Sequence, residues 1–412
     1  MNEDLLDQPS ELFASELAGG KRSYLLNLGD LLFSSPAIFG GAARQAGISC
    51  ETCHQQGHNN PKLFIPGLSS RPGTFDVSGP LFNPKADNGV LDAVTPPSLR
   101  GAKYLAPYAH DGRFALLRDF IRNAIVNEFA GAGPSAQVVD ALEAYVKEIS
   151  FLPNPKLAAG GRLTAQASDA AHRGEALFNK PFRHDAAMSC GSCHQPTGVF
   201  VDHQVHDVGT GGWFKTPTLV NANFNAPYFH DGRFDSYGQV VGYFDGHFDH
   251  GLSDGERADL VAYLDAVGDA KEPTTRNTVQ AELDEIAAFV SILDTAIPAR
   301  NGEVIALTVD AVGNEWRELG ESCALRYQCA RRPRGTVARA RRGARFGADL
   351  AAGRHGGGWR RFRRRAQAFA DYRQHVALAR RDLNLAASWS QFDPEIREAH
   401  FAALRQLADL AR

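Results

Sequence analysis

The sequence predicts a mainly α-helical protein made of two related halves, each a set of short helices joined by long loops. Three observations predict it. A five-residue string with two cysteines and a histidine occurs twice. A longer string recurs downstream of each copy in unchanged register. Each half then closes on a segment with apolar residues at helical spacing.

The first string is Cys50-Glu51-Thr52-Cys53-His54, and its second copy is Cys190-Gly191-Ser192-Cys193-His194. Cysteines three apart lie about one helical turn from each other. Both sulfurs therefore reach one porphyrin, and the next residue directs its imidazole at the iron. C-x-x-C-H is the haem c attachment signature. A redox dithiol leaves the repeated histidine unexplained. A zinc ribbon spaces its pairs by about 15–20 residues, whereas 136 residues separate Cys53 from Cys190. The expected cofactors are two covalently bound haem c, held by Cys50, Cys53, Cys190 and Cys193, with His54 and His194 as iron ligands. The expected fold class is mainly α, with two tandem cytochrome c-like haem domains.

The duplicated string is Ala106-Pro107-Tyr108-Ala109-His110-Asp111-Gly112-Arg113-Phe114 in the first half. It is Ala226-Pro227-Tyr228-Phe229-His230-Asp231-Gly232-Arg233-Phe234 in the second. Pro97-Ser98-Leu99 and Pro217-Thr218-Leu219 precede the two copies by the same interval. Each proline keeps the residue before it extended. Asp-Gly makes a turn, and the aspartate is expected to cap the following helix. Those helices are read over 114–129 and 236–244, and the closing helices over 138–146 and 257–264. The segment 67–95, rich in Pro, Gly, Asn and Ser, reads as a loop wrapping a haem, and Pro153-Asn154-Pro155 as the linker. The expected organisation is a leader over 1–24, haem domains over 25–155 and 156–297, and a C-terminal segment without an assigned structure over 298–412.

The net charge of −3 conceals an asymmetry. Between Arg326 and Arg365 stand fourteen arginines and a single acid, Asp349, so the remaining chain is acidic. An acidic body argues against nucleic acid as a partner and suits a small basic redox protein. Arg, Ala and Gly without apolar periodicity is also what an out-of-frame reading of a GC-rich gene produces, and no function is assigned to that segment. Cys323 and Cys329, at its edge, read as a local disulfide or as nothing. No apolar run is long enough to span a membrane. The start, Met1-Asn2-Glu3-Asp4, lacks the features of a secretory signal. A periplasmic location is expected all the same, because haem c is attached outside the cytoplasm; the signal has then been removed or lies upstream.

With these motifs the chain resembles the bacterial di-haem cytochrome c peroxidase family, which includes the di-haem enzyme that matures the methylamine dehydrogenase cofactor. The resemblance covers roughly Leu25 to Leu293. It implies a haem in each of two cytochrome c-like domains, one reacting with hydrogen peroxide and the other relaying electrons. Glu128, in Asn127-Glu128-Phe129, resembles the family's peroxide-pocket glutamate; it also reads as an ordinary acid at a helix end. His110 stands where the family usually has the tryptophan between the haems, so the electron path is altered, and it is kept as a catalytic candidate. The familiar glutamine of the following helix is not evident. Arg113 and Arg233 are expected to pair with haem propionates.

The chain has only two methionines, Met1 and Met188. Met188 is two residues from Cys190, tied to the proximal side of its own haem, so a His/Met haem is not expected at either site. In the methylamine-type relatives a tyrosine occupies the distal side of the second haem. Tyr243 sits where it would fall, opposite Asn123 in the first half. Tyr243 reads equally as a core aromatic. His58, His203, His206, His247 and His250 read as surface or loop residues, with His247 and His250 near enough to Tyr243 to compete as ligands. The expected partners are hydrogen peroxide and either a small redox protein as electron donor or a protein target for oxidation. The alternative is a di-haem electron carrier without its own substrate; a third reading is an oxygen-activating haem enzyme.

Overall fold

Serine starts the helices of this chain. In the computed structural model, Ser23, Ser135, Ser168, Ser236 and Ser253 each accept a hydrogen bond from the backbone N–H three residues on. This satisfies one of the donors that a helix start leaves bare. The two short attachment helices, Cys50–Cys53 and Cys190–Cys193, share the reverse bond, from the serine backbone to a side chain three residues on. Ser49 N–H donates to Thr52 Oγ1 at 3.0 Å, and Ser189 N–H to Ser192 Oγ at 2.9 Å. The repeat thus extends to residues outside the C-x-x-C-H strings.

The structure describes residues 11–79, 82–183, 185–271, 279–296, 299, 301–308, 310–312 and 315. The Arg-rich run, Cys323 and Cys329 lie outside them. The described residues fall into two units. One takes in Ser23–Ile38 and described residues of Arg276–Arg412. In it the helix Tyr24–Ser34 packs on Val279–Ala296, and Leu28, Leu31, Leu32, Phe289 and Ile292 are buried. Residues 302–308 are helical as well.

The other unit, the described residues of Asp4–Arg22 and Phe39–Thr275, contains both copies of the motifs. The protein is mainly helical, as expected. Its only named sheet among the described residues is a hairpin of β1 (Val205–Asp207) and β2 (Trp213–Lys215). The closing helices run over Ala136–Glu148 and Asp254–Gly268, longer than the periodicity alone indicated because their serine caps begin them earlier. The described residues of the segment 67–95 form a loop with one bridge among them, Phe75 to Val94. Asn154, in the predicted linker, donates to Ala266 O and Val267 O.

Each duplicated string folds into the same tight loop. Tyr108 and Phe114 exchange backbone hydrogen bonds, as do Tyr228 and Phe234. Both Ala-Pro peptide bonds are cis. The aspartates do not cap the following helices. Asp111 and Asp231 instead accept from the N–H of Arg113 and Arg233, both at 3.2 Å. That turn consumes them before the helices begin at Leu117 and Tyr237.

The helix after the string differs between the halves. In the second it runs over Tyr237–His247. In the first, Leu117–Asn123 continues into a π-helical turn, Ala124–Glu128. One extra residue is absorbed there, as π turns do. Both helices end on a phenylalanine, Phe129 or Phe248, followed by a left-handed residue, Ala130 or Asp249.

In the second half the helix Asp169–Phe178 packs on Asp254–Gly268. Gly174 permits the approach: a Cβ there would fall on the Asp259 carbonyl oxygen and 2.8 Å from Tyr263 Cβ. Tyr263 is fully buried in the core with Phe178, Phe200, Val241 and Leu260. We therefore expect Gly174→Ala to lower stability by about 1–3 kcal/mol, the usual cost of overpacking. Thermal unfolding checks this, and an unchanged midpoint would show that the two helices separate freely.

Candidate functional site

The four motif cysteines form no disulfide, and burial pushes the thiols of Cys50, Cys53 and Cys190 up to about 12 and that of Cys193 to about 11. Redox dithiols depend on a depressed thiol pKa, so this setting disfavours that alternative. The adjoining histidines are oriented alike. His54 Nδ1 lies 2.9 Å from Pro97 O, and His194 Nδ1 lies 3.2 Å from Phe200 O. A carbonyl at Nδ1 fixes the proton there and leaves Nε2 free for a metal. Burial holds His54 down to about 4 and lowers His194 as well, so both rings are neutral, as ligation requires.

The attachment residues of the second half open on a cavity of about 350 Å³, within the range of cofactor sites. Cys190, Cys193, His194, Phe178, Phe182, Val241 and Leu260 are among its lining residues. Two polar side chains on this apolar wall are orphaned: Thr210 Oγ1 and both ring nitrogens of His250 are buried and have no hydrogen-bond partner among the described residues. Thiols, an oriented imidazole and orphaned donors around an apolar space fit a haem.

The two halves meet through their motif loops. Thr95 N–H donates to His230 O at 2.7 Å, and the equivalent Lys215 N–H donates to His110 O at 2.8 Å. His110 Nε2 lies 2.6 Å from Thr95 O, and burial lowers His110 to about 4. The His230 ring stacks on Phe214 with centroids 3.7 Å apart. Lys215 Nζ crosses to Leu105 O and Pro107 O at 2.6 and 2.8 Å.

Glu128 ends the π turn of the first half with its side chain only 13% exposed. Asn123 donates to its Oε1 at 3.0 Å, and Arg113 stands 3.4 Å away. Burial raises its carboxyl to about 6 against the pull of both neighbours. It is therefore no ordinary surface acid.

The other sequence candidates make contacts of their own. Tyr243 is not among the residues lining the cavity; its hydroxyl donates to Val208 O at 2.5 Å, and its ring stacks with His247. Arg113 and Arg233 each engage the aspartate of their own motif, at 3.1 and 2.6 Å. His58 and His250 are not surface residues, being 0% and 2% exposed. His58 Nε2 accepts from Arg100 at 2.6 Å, and its Nδ1 meets Asn225 Oδ1, linking the halves. The histidine in Phe248-Asp249-His250-Gly251 carries no local pattern that separates it from its neighbours in sequence.

Residues 168–309 match the sequence model of the di-haem cytochrome c peroxidases. Hydrazine synthase subunit gamma of Kuenenia stuttgartiensis is 28% identical over 238 residues, 53% of this chain and 57% of that protein. The chain thus spans little more than half the length of the curated relative it matches. Among solved structures, a Kuenenia stuttgartiensis hydrazine synthase chain is 23% identical with a TM-score of 0.45, covering 63% of this chain and 93% of that one. A MauG-like protein associated with microbial copper homeostasis is 18% identical with a TM-score of 0.41, covering 65% and 95%. The similarity is thus to the di-haem cytochrome c peroxidase family, over residues 168–309. Among the described residues, no helix is long and apolar enough to cross a membrane.

Glu128 sets a pH dependence. Its folded pKa is raised, so the unfolded chain releases the proton first as pH rises. The stability it contributes is whole below about 4.5 and is lost as pH passes about 6. The loss amounts to about 2 kcal/mol. Urea unfolding of wild type and Glu128→Gln at pH 4.5 and 7 reads this directly. The variant should gain on wild type at the higher pH, and a constant gap would mean that the carboxyl feels water.

Proposed function

We propose that this chain is a periplasmic di-haem c-type oxidoreductase of the peroxidase type. Haem bound through Cys50 and Cys53, and through Cys190 and Cys193, with His54 and His194 as proximal ligands, supplies the redox change. The observation that carries the reading is the buried Glu128, poised near neutrality in one half only. Reduction of one hydrogen peroxide to two waters takes two electrons and two protons. A carboxyl with a pKa near 6 accepts a proton from one peroxide oxygen and returns it to the other, which leaves as water. Asn123 orients that carboxyl, and Arg113 favours its ionised form without abolishing the neutral one. The electrons come one at a time from a small redox protein and enter through the second half.

The joined motif loops favour a second reading, a di-haem electron carrier. The direct contacts of Thr95 with His230 and of Lys215 with His110 give the short path between halves that a carrier also needs. The relative in Kuenenia is a subunit of a synthase, so a catalytic or relay role within a larger assembly is the variant of either reading.

Three outcomes are expected. Acid and organic solvent should extract no haem from the polypeptide, and changing Cys190 and Cys193 to serine should leave one haem of two. Reduced holoprotein should be oxidised rapidly by stoichiometric peroxide in stopped flow. Glu128→Gln should slow that step by roughly 10²-fold or more and erase an inflection near pH 6, with haem content unchanged. Oxidation no faster in wild type than in Glu128→Gln would hand the function to the carrier reading.

A further inference from the structure

The second half contains a histidine that no hydrogen bond accounts for. His250 is 2% exposed, both ring nitrogens are sealed from solvent, and neither has a partner among the described residues. Buried polar groups without partners are rare and costly, and each calls for an explanation. This one lies on the wall of the cavity that Cys190, Cys193 and His194 also line. Phe182 meets its ring edge-on at 5.3 Å and stacks in turn on Phe248.

The backbone that presents His250 is anchored at several points. Asp249 takes a left-handed turn, and His250 N–H returns to Asp245 O at 2.9 Å. The buried Asp245 carboxylate accepts from Leu252 N–H at 2.9 Å and from Arg257 Nε at 2.8 Å. Helix end, turn and following loop are thus tied together by one acid. The imidazole is held at the cavity by structure that serves no other evident end.

The other candidate ligands are engaged elsewhere. His110 Nε2 is bound to Thr95 O, and His206 Nε2 is paired with Asp202 at 2.7 Å. His230 is only partly buried and lies flat on Phe214. Met188 lines the cavity two residues before Cys190 and is tethered to the attachment side. Tyr243 is turned away toward Val208.

We propose that His250 is the second axial ligand of the haem iron in the second half, and that Gly131 leaves the corresponding position of the first half without one. The equivalence follows from the backbone. Phe129 and Phe248 end the two helices, Ala130 and Asp249 are left-handed, and Gly131 and His250 come next. Gly131 N–H returns to Ile125 O at 2.7 Å, across the π turn, where His250 N–H returns to Asp245 O. Neutral imidazole is a common haem ligand, and glycine offers no side chain. The proposal rests on the di-haem reading above and adds which iron is closed and by what.

The test uses oxidised holoprotein with two haems counted by extraction. Wild type should show one low-spin haem with two imidazole ligands by electron paramagnetic resonance and near-infrared magnetic circular dichroism. A methionine-to-iron or tyrosinate-to-iron charge-transfer band for that haem would overturn the assignment. His250→Ala should convert one haem of the two to high spin at unchanged haem content, and added imidazole should restore the low-spin signal. Tyr243→Phe should leave the spectrum as it is. If His250→Ala fails to fold, His250→Met serves: a methionine band replaces the bis-imidazole signal. Two haems with a spectrum indifferent to both changes at position 250 would sink this proposal alone. Fewer than two attached haems would sink the di-haem reading beneath it.

Discussion

Two backbone hydrogen bonds, Thr95 N–H to His230 O and Lys215 N–H to His110 O, hold the arrangement on which the sites depend. Residues 95 and 215 are equivalent in the repeat, and each lies two residues before a proline that approaches a motif histidine. Pro97 O meets His54 Nδ1, and the Pro217 carbonyl acts on His194. In the first half a single extended strap therefore does two things: Pro97 O fixes the tautomer and direction of His54, and Thr95 N–H is pinned to the motif loop of the opposite half. In the second half the tasks are shared, with Phe200 O at His194 Nδ1 and Lys215 N–H on the opposite loop. Orienting His54 and joining the halves are one constraint.

On this symmetric frame the differences stand out. The helix after the motif is one residue longer in the first half, and the surplus is taken up in the π turn that ends at Glu128. An inserted residue rotates everything beyond it by about 100° on an α-helix, but a π turn confines the change and lets the chain rejoin its register at Phe129. The cost is a locally poorer hydrogen-bond ladder. The gain is a buried carboxyl where the second half, at the matching helix end, has His247. Beyond the helix the two chains again follow one path, yet one presents Gly131 and the other His250. Two copies of one scaffold thus come to differ most sharply at Glu128 and at His250.

Much of this was legible in the sequence, and the rest was hidden for identifiable reasons. The C-x-x-C-H strings and the duplicated motif were plain because spacing carries their chemistry. Helix existence followed from apolar periodicity, while the starts were misjudged where serine capping, not hydrophobicity, set them. The ungapped register that opposed Asn123 to Tyr243 holds only as far as the π turn, whose extra residue leaves no mark in the motifs. Tyr243 was left between ligand and core aromatic because its helix is apolar on more than one face: Val241 lines the cavity while the Tyr243 hydroxyl meets the Val208 carbonyl. His250 was named only as a loop histidine that could compete with Tyr243, because its direction depends on a left-handed aspartate and on Arg257 and Leu252 clamping Asp245. None of those is a local preference of the sequence around it.

Lys215 carries a further consequence. Its ammonium leaves its own half, lies over the Tyr108 ring and binds the carbonyls of Leu105 and Pro107 on either side of Ala106. Cut between the repeats, the first fragment would lose the donor at two carbonyls and the second would lose the acceptors of its ammonium. The duplicated halves are thus joined through a side chain as well as through the backbone, and separating them would exchange these protein partners for water.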